Sequence, residues 1–182
     1  MRKFFLWFLA FLITLASAAY QRKTGPTYPL RGQVVIAGQE IRFRLPRSHE
    51  ITSDCPVSIK SSDPKIRGRL EYKRHKTPEP WNAMEMKREN DELVGSLPRQ
   101  PMAGKLAYRV FLMANAEELS LSGENPVVIR FKGVVPESIL IAHVILMFLA
   151  MLFSTRAGLA ALDRKSQPRR LVLWTIGFLF IG

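Results

Sequence analysis

Fifteen consecutive residues, Ile139 to Phe153, contain no charged side chain, and His143 is their only polar member. With Val134-Val135 and the Pro136-Glu137-Ser138 entry, the stretch reaches about 20 residues, or roughly 30 Å of helix, which is the thickness of a bilayer core. It predicts a transmembrane helix over residues 134–155. Whatever precedes and follows must then lie on opposite sides of a membrane.

The amino terminus speaks to the same question. Arg2-Lys3 is followed by the apolar core Phe4–Leu15 and by Ala16-Ser17-Ala18. That is the layout of a secretory signal peptide with cleavage after Ala18; the alternative is an uncleaved membrane anchor over residues 1–19. Both outcomes carry the following segment out of the cytoplasm. Beyond the central span, residues 156–170 hold Arg156, Arg164, Lys165, Arg169 and Arg170 against Asp163 alone. A short loop this basic belongs on the cytoplasmic side. Leu171–Gly182 is apolar again but short, about 18 Å as a helix. It reads as the start of a further transmembrane helix that is cut before its end, because helical carbonyls left open in hydrocarbon are costly.

Residues 20–133 are of a different kind. They contain 20 of the 27 Lys and Arg and 13 of the 15 acids, a net charge of about +7. Gln21–Leu30, with Gly25-Pro26 and Pro29, reads as an extended leader rather than a helix. Ile41, Phe43 and Leu45 then alternate with Arg42 and Arg44, the period of a half-buried strand. Gly38-Gln39 marks a hairpin turn before it. Further strands are predicted at Pro56–Lys60, Ile66–Lys76, Ala83–Glu89 and Glu92–Leu97, with Met84 and Met86 facing inward and a turn at Asn90-Asp91. Lys105–Met113 is the most apolar, with Leu106, Tyr108, Val110 and Leu112 on one face. Leu119–Ser122 and Val127–Gly133 complete eight or nine strands. Such spacing predicts an all-β extracytoplasmic sandwich of two antiparallel sheets, with an immunoglobulin-like topology fitting the length. The expected layout is thus residues 20–133 as β-sandwich, 134–155 as transmembrane helix, 156–170 as cytoplasmic loop and 171–182 as the start of another span.

Chemistry-bearing patterns are sparse. Cys55 cannot form an intrachain disulfide and reads as a packed residue at a strand start. His49 and His75 lack any metal-ligand spacing, so no metal site is expected. Ser48-His49-Glu50 contains triad residue types, but neighbours in sequence cannot form a spatial triad, and the three read as a turn. Trp81, beside Pro78 and Pro80, reads as a core plug or, second, as an exposed contact residue. Lys73-Arg74-His75-Lys76 is a dense basic patch, read as a solvated face near a negative membrane surface. No nucleic-acid role is expected for a domain outside the cytoplasm. His143 is the one candidate cofactor residue: a helix-packing hydrogen bond is preferred, with a haem ligand or proton handling as alternatives. No catalytic residue is assigned and no cofactor is required, haem at His143 being the option left open.

The segments AYQRKTGPTYPLRG (Ala19–Gly32), IRFRLPRSH (Ile41–His49) and VVIRFKGVVPES (Val127–Ser138) resemble those of uncharacterised bacterial inner-membrane proteins. These place a β-sandwich domain in the periplasm ahead of several transmembrane helices. The resemblance implies placement as a multi-pass inner-membrane protein and assigns no activity. The expected function is a non-enzymatic module, in contact with the bilayer and a protein partner in the cell envelope. The alternative is a subunit of a transporter, channel or membrane redox complex.

Overall fold

The structure is a computed structural model that describes residues 2–115, 117–162 and 167–182. Asp163, Arg164 and Lys165 of the expected basic loop lie outside the described residues, as does Met1. The chain forms two compact units, residues 26–134 and the helical remainder, residues 1–25 with 135–182.

The first unit is built of strands. β1 (Leu30–Ile36) and β2 (Gln39–Leu45) form a two-stranded antiparallel sheet. Their turn places both Ala37 (φ 51°) and Gly38 (φ 76°) in the left-handed region. This twist suits a two-residue hairpin, and Ala37 accepts it at about 1 kcal/mol. The turn therefore sits one residue earlier than Gly38-Gln39. Ile41 and Leu45 are buried while Arg42 and Arg44 face water, as their alternation requires.

The largest sheet centres on β9 (Lys105–Ala114). One edge of β9 pairs along its length with β5 (Arg67–Arg74), which in turn pairs with β6 (Asn82–Glu85). The other edge is shared: β11 (Val127–Lys132) takes Lys105 to Tyr108, and β10 (Glu117–Ser120) takes Phe111 to Ala114. β3 (Ser48–Glu50) completes the sheet by pairing parallel to β11. A third sheet holds β4 (Cys55–Lys60), β8 (Glu92–Leu97) and β7 (Lys87–Glu89). The described strands number eleven and fall in three hydrogen-bonded sheets rather than two. One hydrophobic core serves all three sheets, with Leu45, Val57, Leu70, Leu97, Tyr108, Val110, Leu112, Ile129 and Phe131 fully enclosed.

Met86 decides how the sheets join. β6 pairs with β5 in the large sheet, whereas β7 pairs with β8 in the small one, and Met86 is the single residue between them. Its N–H donates to the Gly68 carbonyl (2.8 Å) and its side chain is buried. Gly68 and Gly95 leave the space: a Cβ on Gly68 would lie 2.7 Å from the Met86 sulfur, and one on Gly95 would lie 2.9 Å from Leu70. Met84, expected inward with Met86, stands opposite Leu70 on that face, but on the edge strand β6 it is 38% exposed.

Arg88 fixes the loop ahead of β5. Its guanidinium donates to the carbonyls of Ser61 (2.5 Å), Asp63 (2.9 Å) and Ile66 (2.7 Å). Arg88→Ala is expected to destabilise this unit by about 2 kcal/mol, read as a lowered denaturation midpoint. Arg88→Lys should recover only part of that, because one ammonium cannot reproduce a planar fork of donors.

The second unit contains α1 (Arg2–Thr24), α2 (Glu137–Ala161) and α3 (Arg169–Ile181). α1 continues through Ala19 and the expected leader as far as Thr24, because Gln, Arg and Lys favour helix and the stop comes only at Gly25-Pro26. α2 begins after Pro136 rather than at Val134 and runs past residue 155 to Ala161. Arg156 is therefore a helical residue, not a loop residue; Ala157, Leu159, Ala160 and Ala161 carry the helix onward. α1 and α2 are long and apolar enough to cross a membrane. α3, with 13 residues, is about 20 Å long. α2 is apolar on all sides, and Ile139, Leu140, Ile141, Val144 and Ile145 are exposed along it. Water is a poor solvent for such a surface and lipid a good one.

α1 and α2 run antiparallel, since Trp7 meets Phe153 (ring centroids 5.2 Å apart) and Phe11 meets Phe148 (6.1 Å). Phe153 also receives Trp174 and Phe178 of α3 (6.4 and 5.3 Å). The start of α1, the end of α2 and the start of α3 thus share one end of the unit.

Candidate functional site

The outward face of the large sheet carries its most concentrated chemistry. On β5 and β9 the apolar residues Leu70, Val110 and Leu112 point into the core, so Arg69, Glu71, Lys73, Arg109 and Phe111 must point away from it. Register sets Arg69 opposite Phe111 and Glu71 opposite Arg109. The Arg69 guanidinium lies over the Phe111 ring at 4.9 Å and pairs with Glu71 (3.2 Å) and with Glu118 of β10. Trp81 covers the neighbouring stretch, with the Arg109 guanidinium 4.6 Å and the Lys73 ammonium 5.0 Å from its ring centroid. Arg109 Nε is buried there without a hydrogen-bond partner.

Trp81 is thus neither a core plug nor a free contact residue. It is half-buried, held against the outside of the sheet by two cations. A cation over an aromatic face contributes roughly 0.5–2 kcal/mol, more as water is removed. The sequence signal was present in the Pro-flanked tryptophan and the alternating cations of β5. Only the register brings Arg109 to them.

The remaining sequence candidates are dispersed. β3 contains Ser48, His49 and Glu50, so they form a strand rather than a turn. Its parallel partner β11 lies some eighty residues away in sequence, beyond the reach of local pattern. The His49 ring packs edge-on to Phe131 (6.0 Å), with Nε2 3.3 Å from the Ser53 hydroxyl, and Lys132 pairs with Glu50 at 3.6 Å. His75 follows β5; partial burial, then Lys76 and Lys105, lower its pKa below the ordinary 6.5. The folded state prefers the neutral ring, so its contribution to stability declines as pH falls below 6.5. Among the described residues no group of three or more His, Cys, Asp or Glu is placed to hold a metal ion.

Cys55 and Tyr108 are core residues. Burial pushes the Cys55 thiol up to about 11. The buried Tyr108 hydroxyl donates to the Pro46 carbonyl at 2.7 Å, and its pKa is raised by burial and by Cys55, with Arg47 opposing. At pH 8 a thiol with a pKa near 11 is ionised in about one molecule in a thousand. Cys55 is therefore expected to resist alkylation in the native chain and to react readily once the unit is unfolded in denaturant.

In the helical unit, His143 lies on an exposed face of α2, its Nδ1 2.5 Å from the Gly182 carbonyl. With Ser138, Ile139, Ala142, Leu146 and Ile181 it borders an open groove of about 310 Å³. No known protein-family model matches this chain, and neither does any curated protein.

Proposed function

We propose that the chain is a non-enzymatic envelope protein, held in the bacterial inner membrane by its apolar helices, whose β unit recognises a protein partner on the periplasmic side. The carrying observation is the Trp81 patch: an aromatic ring between Arg109 and Lys73, beside the Arg69–Phe111 pair, on the outside of a rigid sheet. Tryptophan and arginine are the residue types in which binding energy concentrates at protein interfaces. Here both are immobilised before any partner arrives, which lowers the entropy cost of binding. An immunoglobulin-like sandwich is the arrangement we assign to this unit. It is supported by the single core that faces both the large and the small sheet, as where Gly95 of β8 meets Leu70 of β5.

The membrane placement is supported by two helices of spanning length. The orientation is supported by the charges: Arg2 and Lys3 open α1, while Arg156 near the end of α2 and Arg169 and Arg170 at the start of α3 lie at that same end. Cations on the cytoplasmic side put the segment between α1 and α2 outside.

Accessibility tags inserted at Lys60 and at Gln167 test the placement, and opposite sides of the membrane are expected. A photo-crosslinking residue at position 81 tests the recognition. It should capture one protein partner in intact cells, and capture should fall at least about tenfold with Arg109→Ala, the loss of a modest hot spot. Capture that ignores Arg109 would remove the patch from the reading; tags on one side would remove the orientation.

A further inference from the structure

We infer that the Arg156–Trp7 corner between α1 and α2 is a binding site for the phosphate of an anionic phospholipid. This rests on the membrane reading of those helices. Arg156 is 9% exposed, and its Nε and Nη1 are buried with no hydrogen-bond partner. Its guanidinium lies 5.7 Å from the Trp7 ring centroid, and Ala157 and Ala160 are buried beside it on α2. An aromatic face offsets only part of the cost of desolvating a guanidinium, which is several kcal/mol for an unpaired ion. The site is short of an anion.

Among the described residues no acid stands at this end; Asp163, two residues beyond α2, lies outside them. α1 has no acid in its first turn and α3 none in its own. Glu137, the acid of α2, lies at the opposite end of that helix. Lys3, Arg169 and Arg170 add only positive charge here. The depth selects the kind of anion. Arg156 lies five residues before the end of α2, about 8 Å along its axis, and follows directly on Ser154-Thr155, where the uncharged run stops. Trp7 lies at a matching depth on α1, and tryptophan favours the headgroup boundary. An arginine stem lying in hydrocarbon delivers its head to the level of lipid phosphates. A guanidinium suits phosphate because it offers several donors to several oxygens and never loses its charge. A carboxylate from another helix would have to be desolvated at the same depth, whereas the lipid phosphate is already there.

The full chain in phosphatidylcholine nanodiscs, with and without phosphatidylglycerol, tests this. Resistance to alkaline extraction from membranes is scored first; a chain that is washed out loses both the membrane reading and this one. An inserted chain should prefer phosphatidylglycerol about fivefold in its annulus, the factor expected for one basic residue at an anionic surface. Arg156→Gln should abolish that preference, and Arg169→Gln with Arg170→Gln should leave most of it. No preference in the inserted wild-type chain overturns the inference. So does equal loss in both variants, which would indicate diffuse charge. Displacement of the lipid by millimolar inorganic phosphate would identify a free-anion site instead. An Arg156-dependent crosslink to a protein carboxylate without lipid preference would identify a partner helix. Should Arg156→Gln fail to insert, the unaltered chain decides: after washing in phosphatidylcholine micelles it retains about one anionic phospholipid per chain, or the inference fails.

Discussion

Phe131→Ala is expected to cost the β unit about 3–5 kcal/mol. Phe131 is fully enclosed in β11, between β9 on one side and β3 on the other, with the His49 ring edge-on against it. Its backbone is held at both groups: the N–H donates to Gly104 and the carbonyl accepts from Ala103, each at 2.9 Å. Neighbours fixed in this way cannot close over the missing ring, which favours the upper part of the range. A single domain has roughly 5–15 kcal/mol in all, so the loss is a large share. Cys55 provides the readout. It is buried in the same core, and its alkylation requires the unit to open. At about 1.4 kcal/mol per decade, labelling should accelerate at least about a hundredfold in Phe131→Ala. A rate within threefold of wild type would mean that β11 is not part of the core.

The second large effect concerns α2. Ile145 is 54% exposed and lies eight residues inside the helix start, where a spanning helix meets only acyl chains. Ile145→Arg should raise the free energy of insertion by about 3 kcal/mol, whereas Ile145→Ala should change it little. A tag at Gln167 would then report the same side as one at Lys60 in much of the Arg variant, and the opposite side in the Ala variant. Unchanged topology in the Arg variant would show that position 145 faces protein or water instead of lipid.

Local pattern carried the sequence reading wherever neighbours along the chain decide the outcome. Ile41, Phe43 and Leu45, or Leu106, Tyr108, Val110 and Leu112, alternate because each strand has one wet face, and burial follows the alternation closely. Partners distant in sequence left no such trace. β3 was unreadable because three residues have no period of their own, and the strand exists through β11. Met84 was read as inward and its register opposite Leu70 puts it on that face, but β6 is the edge strand, which alternation alone does not reveal. Both helix boundaries were set too early: Gly25, Pro26 and Pro29 drew Gln21-Arg22-Lys23 into an extended leader, and the charge of Arg156 drew it into a loop, although each is a good helix former. Of the Trp81 patch, the sequence shows the tryptophan and the β5 cations, while the Arg109 contact waits on pairing between strands some forty residues apart.

The passage of one strand through two sheets at Met86 has a mechanical meaning. Tension along that segment is shared by hydrogen bonds to β5 and to β8, so peeling one layer loads the other. A unit tied in this way should resist force as a single body and yield in one step.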